Sequence, residues 1–403
     1  MSNRYNSLVR SITALYASYF FSFFHRTVTG VLLPEMEVLA ERGGWDPRLF
    51  TALASSAYFY TYAAMQLPAG VLADALGARL YATLSIGLMA SGSLLSTIGN
   101  PSLFILGRLL VGLGAAAIWI SMQRIIGLKA RKDRGGLLTG LGLMVGGIGS
   151  LFATIPAKNF VEVFGIQALF LFLGLASLLC AFGVFLLVDD KGIGLGSTKQ
   201  GLVAAVKQLR LVARTPHSLA LVVAGLGTYS AYLAYQSYWG SLYLTACYRV
   251  SPSYTAYLLF LTSLTFTVSV PAVGFFSDNI GRRKPLLTLT CFLHTVFWLF
   301  SIILAWGGSS ELLALHAVLL GLVAATHSII SPMAREAYDP EFSGTNLSFV
   351  NASTFIGVAI YQVTGYYVQN PLSALALFTL TGALSIILTP WVKETMVEDE
   401  ENS

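Results

Sequence analysis

Apolar runs recur along this chain at close to the length of a bilayer crossing. Segments 11–33, 50–73, 80–99, 102–123, 137–160, 166–188, 217–243, 254–276, 285–306, 311–332, 346–368 and 372–392 are all predominantly apolar. Each approaches the roughly 20 residues that a spanning helix needs, so the pattern predicts twelve transmembrane helices. The breaks at 99–102 and 368–371 read GNPS and VQNP, and their Asn-Pro steps predict tight turns. Pro156 and Pro271 fall inside predicted spans, which is tolerable where neighbouring helices satisfy the freed carbonyls. Residues 189–216 are the one long polar interruption. They divide the chain into a six-span unit over 1–188, a linker, a second six-span unit over 217–392 and a tail over 393–403. Within the linker, Leu202, Val206 and Leu209 fall on one helical face and Lys207, Arg210 and Arg214 on another. A helix on the membrane surface and a flexible basic tether are both open readings. The tail, acidic over Glu398–Ser403, is expected to be disordered. Arg4 and Arg10 precede the first apolar run without a small-residue cleavage site, so that run is expected to be a retained helix rather than a signal peptide.

Composition agrees with the pattern. Hydrophobic residues make up 55% of the chain and charged residues 11%, and mean hydropathy is +0.71. A soluble domain is about 25% charged, so an all-α integral membrane protein is the expected class. The net charge of +5 then reads as loop charge next to lipid, not as a nucleic-acid footprint. Arg79, Arg124, Lys129, Arg131, Lys132, Arg134, Arg282 to Lys284 and Arg335 fall on one side. Arg42, Arg48 and Arg249 fall on the other, with Lys158 near it. By the positive-inside bias both termini are cytoplasmic, in a plasma membrane (the inner membrane of a prokaryote). Cys180, Cys247 and Cys291 lie in or beside apolar stretches without CxxC spacing and read as packing residues. No P-loop, paired catalytic carboxylates, nucleophile elbow or metal-ligand spacing occurs in the sequence, so neither an enzyme nor ATP-driven transport is expected, and no cofactor.

One motif occurs twice. Gly70, Asp74, Gly77 and Arg79 map onto Gly274, Asp278, Gly281 and Arg283, each 204 residues on, with Arg282 beside the second copy. An Asp at a helix end near arginines makes charge-assisted bonds, and glycine permits a tight turn, so the loops are candidates for a cytoplasmic gate. The alternative is topogenic charge alone. GVLADALGAR and GFFSDNIGRRK, with twelve spans and a central linker, resemble the major facilitator superfamily over essentially the whole chain. The second copy is the closer one, because Ala78 stands where a basic residue is usual. The resemblance implies two pseudo-symmetric six-helix bundles rocking around a mid-membrane site, with the first, fourth, seventh and tenth spans lining the pathway.

Candidate chemistry lies in the spans. Arg108, in GRLLVGLGAA, is expensive in lipid and needs a partner or water. Its R-x-x-x-G spacing to Gly112 is again similar to the superfamily. Substrate binding, proton coupling and bracing are all open for it. Gly112, Gly114, Gly140, Gly142, Gly146, Gly147 and Gly149 suit close helix packing. No Gly-Pro step occurs, unlike the superfamily's drug exporters. FFHRTVTGVLLPEM resembles the first span of the anion:cation symporter branch, with Arg26 and Pro34 matching. His25 stands where that branch has Asp, and Ala115 where it often has Glu, so both expected proton carboxylates are missing.

Arg26, Arg108 and Lys158 give the first six spans an excess of positive charge, with only Glu35, Glu37 and Glu162 near their outer ends. That favours an anionic ligand, although Lys158 also suits snorkelling. The seventh span carries Tyr229, Tyr232, Tyr235, Gln236 and Tyr238. Tyr232, Tyr235 and Gln236 share a face at helical spacing and are candidate ligand contacts; an aromatic belt is the other reading. Asn351 and Gln362 are candidates in the eleventh span. His25 is the first candidate proton carrier and His327 the second, against ordinary structural roles for both. The expected function is a carrier, driven or facilitative, for a small organic anion such as a carboxylate. It would work by alternating access, with protons as a possible co-substrate, and as a monomer in the bilayer. Export of a drug, siderophore or other amphiphile, or carriage of a dipeptide or other zwitterion, are the alternatives.

Overall fold

The computed structural model describes residues 2–130, 135–190, 198–307, 310–338, 340–368 and 370–395. Arg131, Lys132, Arg134, the 398–403 tail and the side chains of Asp74, Asp278 and Leu202 lie outside what is described.

The described chain is helical throughout its apolar runs. The N-terminal bundle comprises α1 (Ser2–Thr27), α2 (Leu33–Arg42), α3 (Pro47–Ala64), α4 (Gln66–Leu95), α5 (Pro101–Lys129), α6 (Gly135–Phe152) and α7 (Ile155–Leu187). The linker contains α8 (Thr198–Val212). The C-terminal bundle comprises α9 (Pro216–Tyr248), α10 (Pro252–Ile280), α11 (Lys284–Gly307), α12 (Leu313–Glu336), α13 (Pro340–Tyr367) and α14 (Pro371–Leu388). Among the described residues, nine helical segments are long and apolar enough to cross a membrane, and Leu137–Phe152 is a shorter apolar helix. The face carrying the linker is called the linker face below, and the opposite one the far face.

Helix boundaries follow local chemistry. Asn100 and Asn370 accept from Leu103 N at 3.1 Å and Leu372 N at 3.0 Å, so both predicted Asn-Pro turns begin helices with a side-chain cap worth ~1 kcal/mol. Asp46 caps α3 in the same way, 2.7 Å from Leu49 N. Pro156, expected inside a span, instead sits in the first turn of α7, where its missing N–H costs nothing. Pro271 does lie inside a helix. The first predicted span is not one straight helix: a 3-10 turn over Val28–Val31 separates α1 from α2. The α9 helix contains two π-helical stretches, Leu226–Ser230 and Tyr235–Trp239.

Between lipid-embedded helices no hydrophobic drive exists, so close contact depends on small residues. Gly112 and Gly114 of α5 show this, since a Cβ on either would lie 2.2 Å from the Tyr58 or Ser85 carbonyl oxygen. These glycines hold α5 against α3 and α4 at backbone distance. The two bundles meet along α3 against α13 and α6 against α10. Large apolar side chains such as Leu179, Phe182, Val268 and Phe275 are exposed on the outside, as lipid contact requires.

Candidate functional site

A small cavity lies where the bundles meet. The N-terminal bundle supplies Phe23, Arg26, Thr27, Gly147 and Ser150; α9 supplies Tyr229, Tyr232 and Leu233; α10 supplies Ser263, Phe266 and Thr267. Its volume of about 10 Å³ has room for about one water. The bundles are therefore closed around the centre. Among the described residues, no Asp or Glu lines it.

Arg26 is the cation in this wall, and only 2% of it is exposed. Aromatic rings cover the guanidinium plane: Phe23 at 4.1 Å, Tyr62 at 5.0 Å and Phe355 at 5.0 Å. The Tyr229 hydroxyl is a hydrogen-bonding neighbour of the guanidinium. Nε and Nη2 have no acceptor among the described residues. Those two nitrogens form one edge of the guanidinium, the edge that grips a carboxylate with two parallel bonds. The rings satisfy the faces of the cation and leave this edge open.

Arg108 is placed differently. It is fully buried. Its Nη1 donates to the His25 carbonyl at 2.8 Å and its Nε to the Ala54 carbonyl at 3.2 Å. One side chain thus ties α5 to α1 and α3. Lys158 is also buried, and its Nζ lies 2.6 Å from Glu35 and 3.9 Å from Glu162. Glu162 also accepts from Ser253 Oγ of the other bundle at 3.0 Å. Neither Arg108 nor Lys158 lines the cavity.

The other candidates divide similarly. Tyr232 lines the cavity, while Tyr235 packs on Trp298 at 5.6 Å and Tyr243 at 6.0 Å. Gln236 sits one layer back, its Nε2 donating to the Leu259 carbonyl at 3.0 Å and Ser263 Oγ at 2.8 Å. The cavity face of α9 begins a turn earlier than the expected one, at Tyr229 in the first π stretch, and continues to Tyr232 and Leu233 between the two stretches. A π turn takes an extra residue and shifts the facing register. Gln362 donates to Ser237 Oγ at 2.7 Å within the C-terminal bundle. Asn351 crosses to the N-terminal bundle and donates to Gln66 Oε1 at 2.9 Å.

The two histidines diverge. The His25 ring is buried inside the N-terminal bundle, 6.3 Å from the Phe170 ring, and does not line the cavity. The His327 ring stacks on Tyr229 at 3.8 Å with a 5° interplanar angle, and its Nδ1 bonds the Ala324 carbonyl at 2.7 Å. His327 is therefore one ring away from Arg26.

On the linker face both repeated loops turn on a positive-φ glycine, although Gly77 has ψ 157° and Gly281 is left-handed with ψ 12°. Gly77 and Gly281 adopt φ of +79° and +65°, which only glycine holds without strain. A Cβ on Gly70 or Gly274 would meet nothing within 4 Å, so those positions do not require glycine sterically. The Arg79 backbone N–H donates to Asp190 at 2.9 Å, and the Arg283 N–H donates to Glu394 at 2.9 Å. Arg283 also pairs with Glu336 at 3.0 Å, and Arg79 lies over the Phe185 ring at 4.5 Å. Arg282 is exposed, in a surface recess shared with Lys284 and Glu394.

Sequence reasoning passed over Tyr62, Phe355 and Phe266, because an aromatic in an apolar span carries no mark of which way it faces. Asp190 and Glu394 did carry a signal: they stand 204 residues apart, the offset of the glycine-arginine loops they cap.

A family model described as the Major Facilitator Superfamily matches residues 15–246 and again residues 224–402. No curated protein sequence matches the chain. Among solved structures, a D-xylose-proton symporter superposes with a TM-score of 0.78 at 13% identity, over 96% of this chain and 98% of its own. A POT family transporter in complex with 5-aminolevulinic acid gives 0.77 at 14% identity, over 94% and 95%. Another, with a thioalcohol-conjugated peptide, gives 0.76 at 15% identity over the same shares. At these identities the likeness is one of fold. Taken with the family model, which spans almost the whole sequence, it places the chain in a known class of membrane transporters: the protein belongs to the Major Facilitator Superfamily.

Proposed function

We propose that this transporter carries a small organic anion, a carboxylate by best fit, through alternating access of its two bundles. The observation that carries this reading is the open edge of Arg26. It is a buried cation whose Nε and Nη2 lack an acceptor among the described residues, set in the wall of a cavity that no Asp or Glu lines. A buried uncompensated charge is costly, and a carboxylate bound bidentately would relieve that cost. Lys158 is neutralised by Glu35, and Arg108, although its Nη2 also lacks an acceptor among the described residues, does not line the cavity, which leaves Arg26 as the substrate cation. A dipeptide or amino acid would also need an acid for its ammonium group, and the lining offers none. For coupling, His327 is favoured over His25, because its ring stacks on the tyrosine beside Arg26. The proton symporter among the fold neighbours is compatible with this. We also place the linker face in the cytoplasm, on the Lys and Arg bias of the loops.

The test is uptake of carboxylates, amino acids and dipeptides into proteoliposomes, with and without a pH gradient. Carboxylate uptake is expected, and Arg26→Gln is expected to abolish it while the protein stays folded. Unchanged uptake in that variant would overturn the assignment. His327→Gln is expected to remove the pH-gradient dependence; accumulation that still follows the gradient would exclude His327 as the coupling group.

A further inference from the structure

We infer that the substrate is an aromatic monocarboxylate, bound with its carboxylate on Arg26 and its flat ring between the bundles. This deepens the anion reading above and rests on it.

The charge count comes first. Of the three buried cations in the N-terminal spans, Lys158 is paired with Glu35 at 2.6 Å, and Arg108, which donates to two helix carbonyls and keeps Nη2 without an acceptor among the described residues, does not line the cavity. One guanidinium edge faces the cavity, and one edge matches one carboxylate. A dicarboxylate would leave its second charge against Phe266, Leu233 and hydroxyls, where burial without a partner is unfavourable.

The shape of the wall comes second. Tyr229, Tyr232 and Phe266 all line the cavity, and their planes are nearly parallel. Tyr232 lies 4.9 Å from Phe266 at 20°, Tyr229 lies 6.2 Å from Phe266 at 18°, and Tyr229 and Tyr232 are 5.9 Å apart at 26°. Behind them His327 stacks on Tyr229 at 5°, which fixes the orientation of the set. An additional flat ring entering parallel to them would meet the offset-stacked arrangement that aromatic pairs prefer.

The third observation is thickness. Across the cavity Gly147 stands flush with Thr267, so close that a Cβ on Gly147 would lie 2.6 Å from Thr267 Cγ2. A site pinched between bundles at this point opens first as a slot. A planar ligand needs less widening of a slot than a puckered ring or a branched chain. Thr27, Ser150 and Ser263 supply hydroxyls along its rim, suited to ring substituents or to a carboxylate oxygen.

The experiment compares probes of matched size and charge on the full-length protein in proteoliposomes: benzoate and cinnamate, cyclohexanecarboxylate, butyrate and phthalate. Benzoate uptake is expected, with cyclohexanecarboxylate and butyrate competing at least about tenfold less well, within the range a shaped apolar pocket discriminates. Phthalate should compete poorly. Phe266→Leu is expected to remove the preference by lowering benzoate uptake to about the level of cyclohexanecarboxylate, and the uptake that remains should still be lost on adding Arg26→Gln. Phe266→Tyr should retain the preference. If Phe266→Leu does not fold, Kd values of benzoate and cyclohexanecarboxylate for the wild-type protein in detergent give the same comparison.

Equal affinity for the planar and puckered acids, or a preference for the dicarboxylate, would overturn the aromatic inference and leave the anion reading standing. Failure of every carboxylate to bind or be transported would remove the anion reading, and this inference with it.

Discussion

Arg26 and Arg108 stand out equally in the sequence, as guanidiniums inside apolar spans, yet in the structure only Arg26 lines the cavity, while Arg108 braces helices and keeps one nitrogen, Nη2, without an acceptor among the described residues. Arg108 makes two hydrogen bonds from a charged donor to helix carbonyls, at 2.8 and 3.2 Å. Bonds of that kind contribute about 1.5–3 kcal/mol each when their removal leaves a buried group unsatisfied. Here the carbonyls also belong to helices, so the lower end applies. Arg108→Gln is therefore expected to destabilise the protein by about 3 kcal/mol, read as a lower unfolding midpoint in detergent. Arg26→Gln removes a buried charge with an unpartnered edge and is expected to leave that midpoint unchanged or raise it, while transport stops. A lower midpoint for Arg26→Gln than for Arg108→Gln would show the two roles to be reversed. The sequence exposed both residues because charge in lipid is conspicuous. It did not expose the rings around Arg26, since Tyr62 and Phe355 look like any lipid-facing aromatic until the helices are packed. Nor did it separate Lys158 from the other cations, because Glu35 reaches it from α2, on the far side of the 3-10 turn.

At the scale of elements, irregular helix lies where the first and seventh spans meet. The 3-10 turn Val28–Val31 rests on the π stretch Tyr235–Trp239. Thr29 Oγ1 donates to the Ser237 carbonyl at 2.9 Å, and a Cβ on Gly30 would fall 2.2 Å from the Gln236 carbonyl oxygen. The contact is backbone on backbone, and no side chain there can move aside. Gly30→Val is expected to prevent closure of the far face and abolish transport without unfolding the protein. The measurement is reactivity of Ser237→Cys toward a polar maleimide, with Cys180, Cys247 and Cys291 replaced by serine. Ser237 is fully buried, so labelling should be slow with Gly30 present. It should be at least about tenfold faster once Gly30→Val is added, the ratio expected if the clash costs about 1.4 kcal/mol or more in the closed state. Equal labelling would mean that this contact does not close the far face. Apolar periodicity located both spans, but a one-residue change in helical pitch leaves the hydrophobic pattern almost untouched. The π stretches were illegible for that reason, and with them the facing of Tyr235 and Gln236.

Across the whole molecule, the 204-residue repeat extends from the loops to the carboxylates that cap them, Asp190 on Arg79 and Glu394 on Arg283. Each cap ties a loop arginine to the segment that follows the last helix of the same bundle, so rocking of one bundle against the other leaves both caps intact. The Asn351–Gln66 bond at 2.9 Å instead joins α13 to α4, across the bundles, and must break when they part on the linker side. The two kinds of contact should therefore respond differently to mutation. Asp190→Asn and Glu394→Gln are each expected to cost about 1 kcal/mol of stability, as lost helix-end carboxylates do, with the double variant near the sum because the two caps belong to different bundles and have separate partners. Neither should change the balance between open and closed states. Asn351→Ala should leave the melting midpoint nearly unchanged and favour opening of the linker face by about 1 kcal/mol, roughly a fivefold change in the ratio of states. Distances between spin labels placed beside Gly77, where α4 bends at the linker face, and at the linker-face end of α13 would report that ratio. A shift in the distance distribution with Asp190→Asn or Glu394→Gln, and none with Asn351→Ala, would make the repeated loops the moving gate and the Asn351 bond incidental.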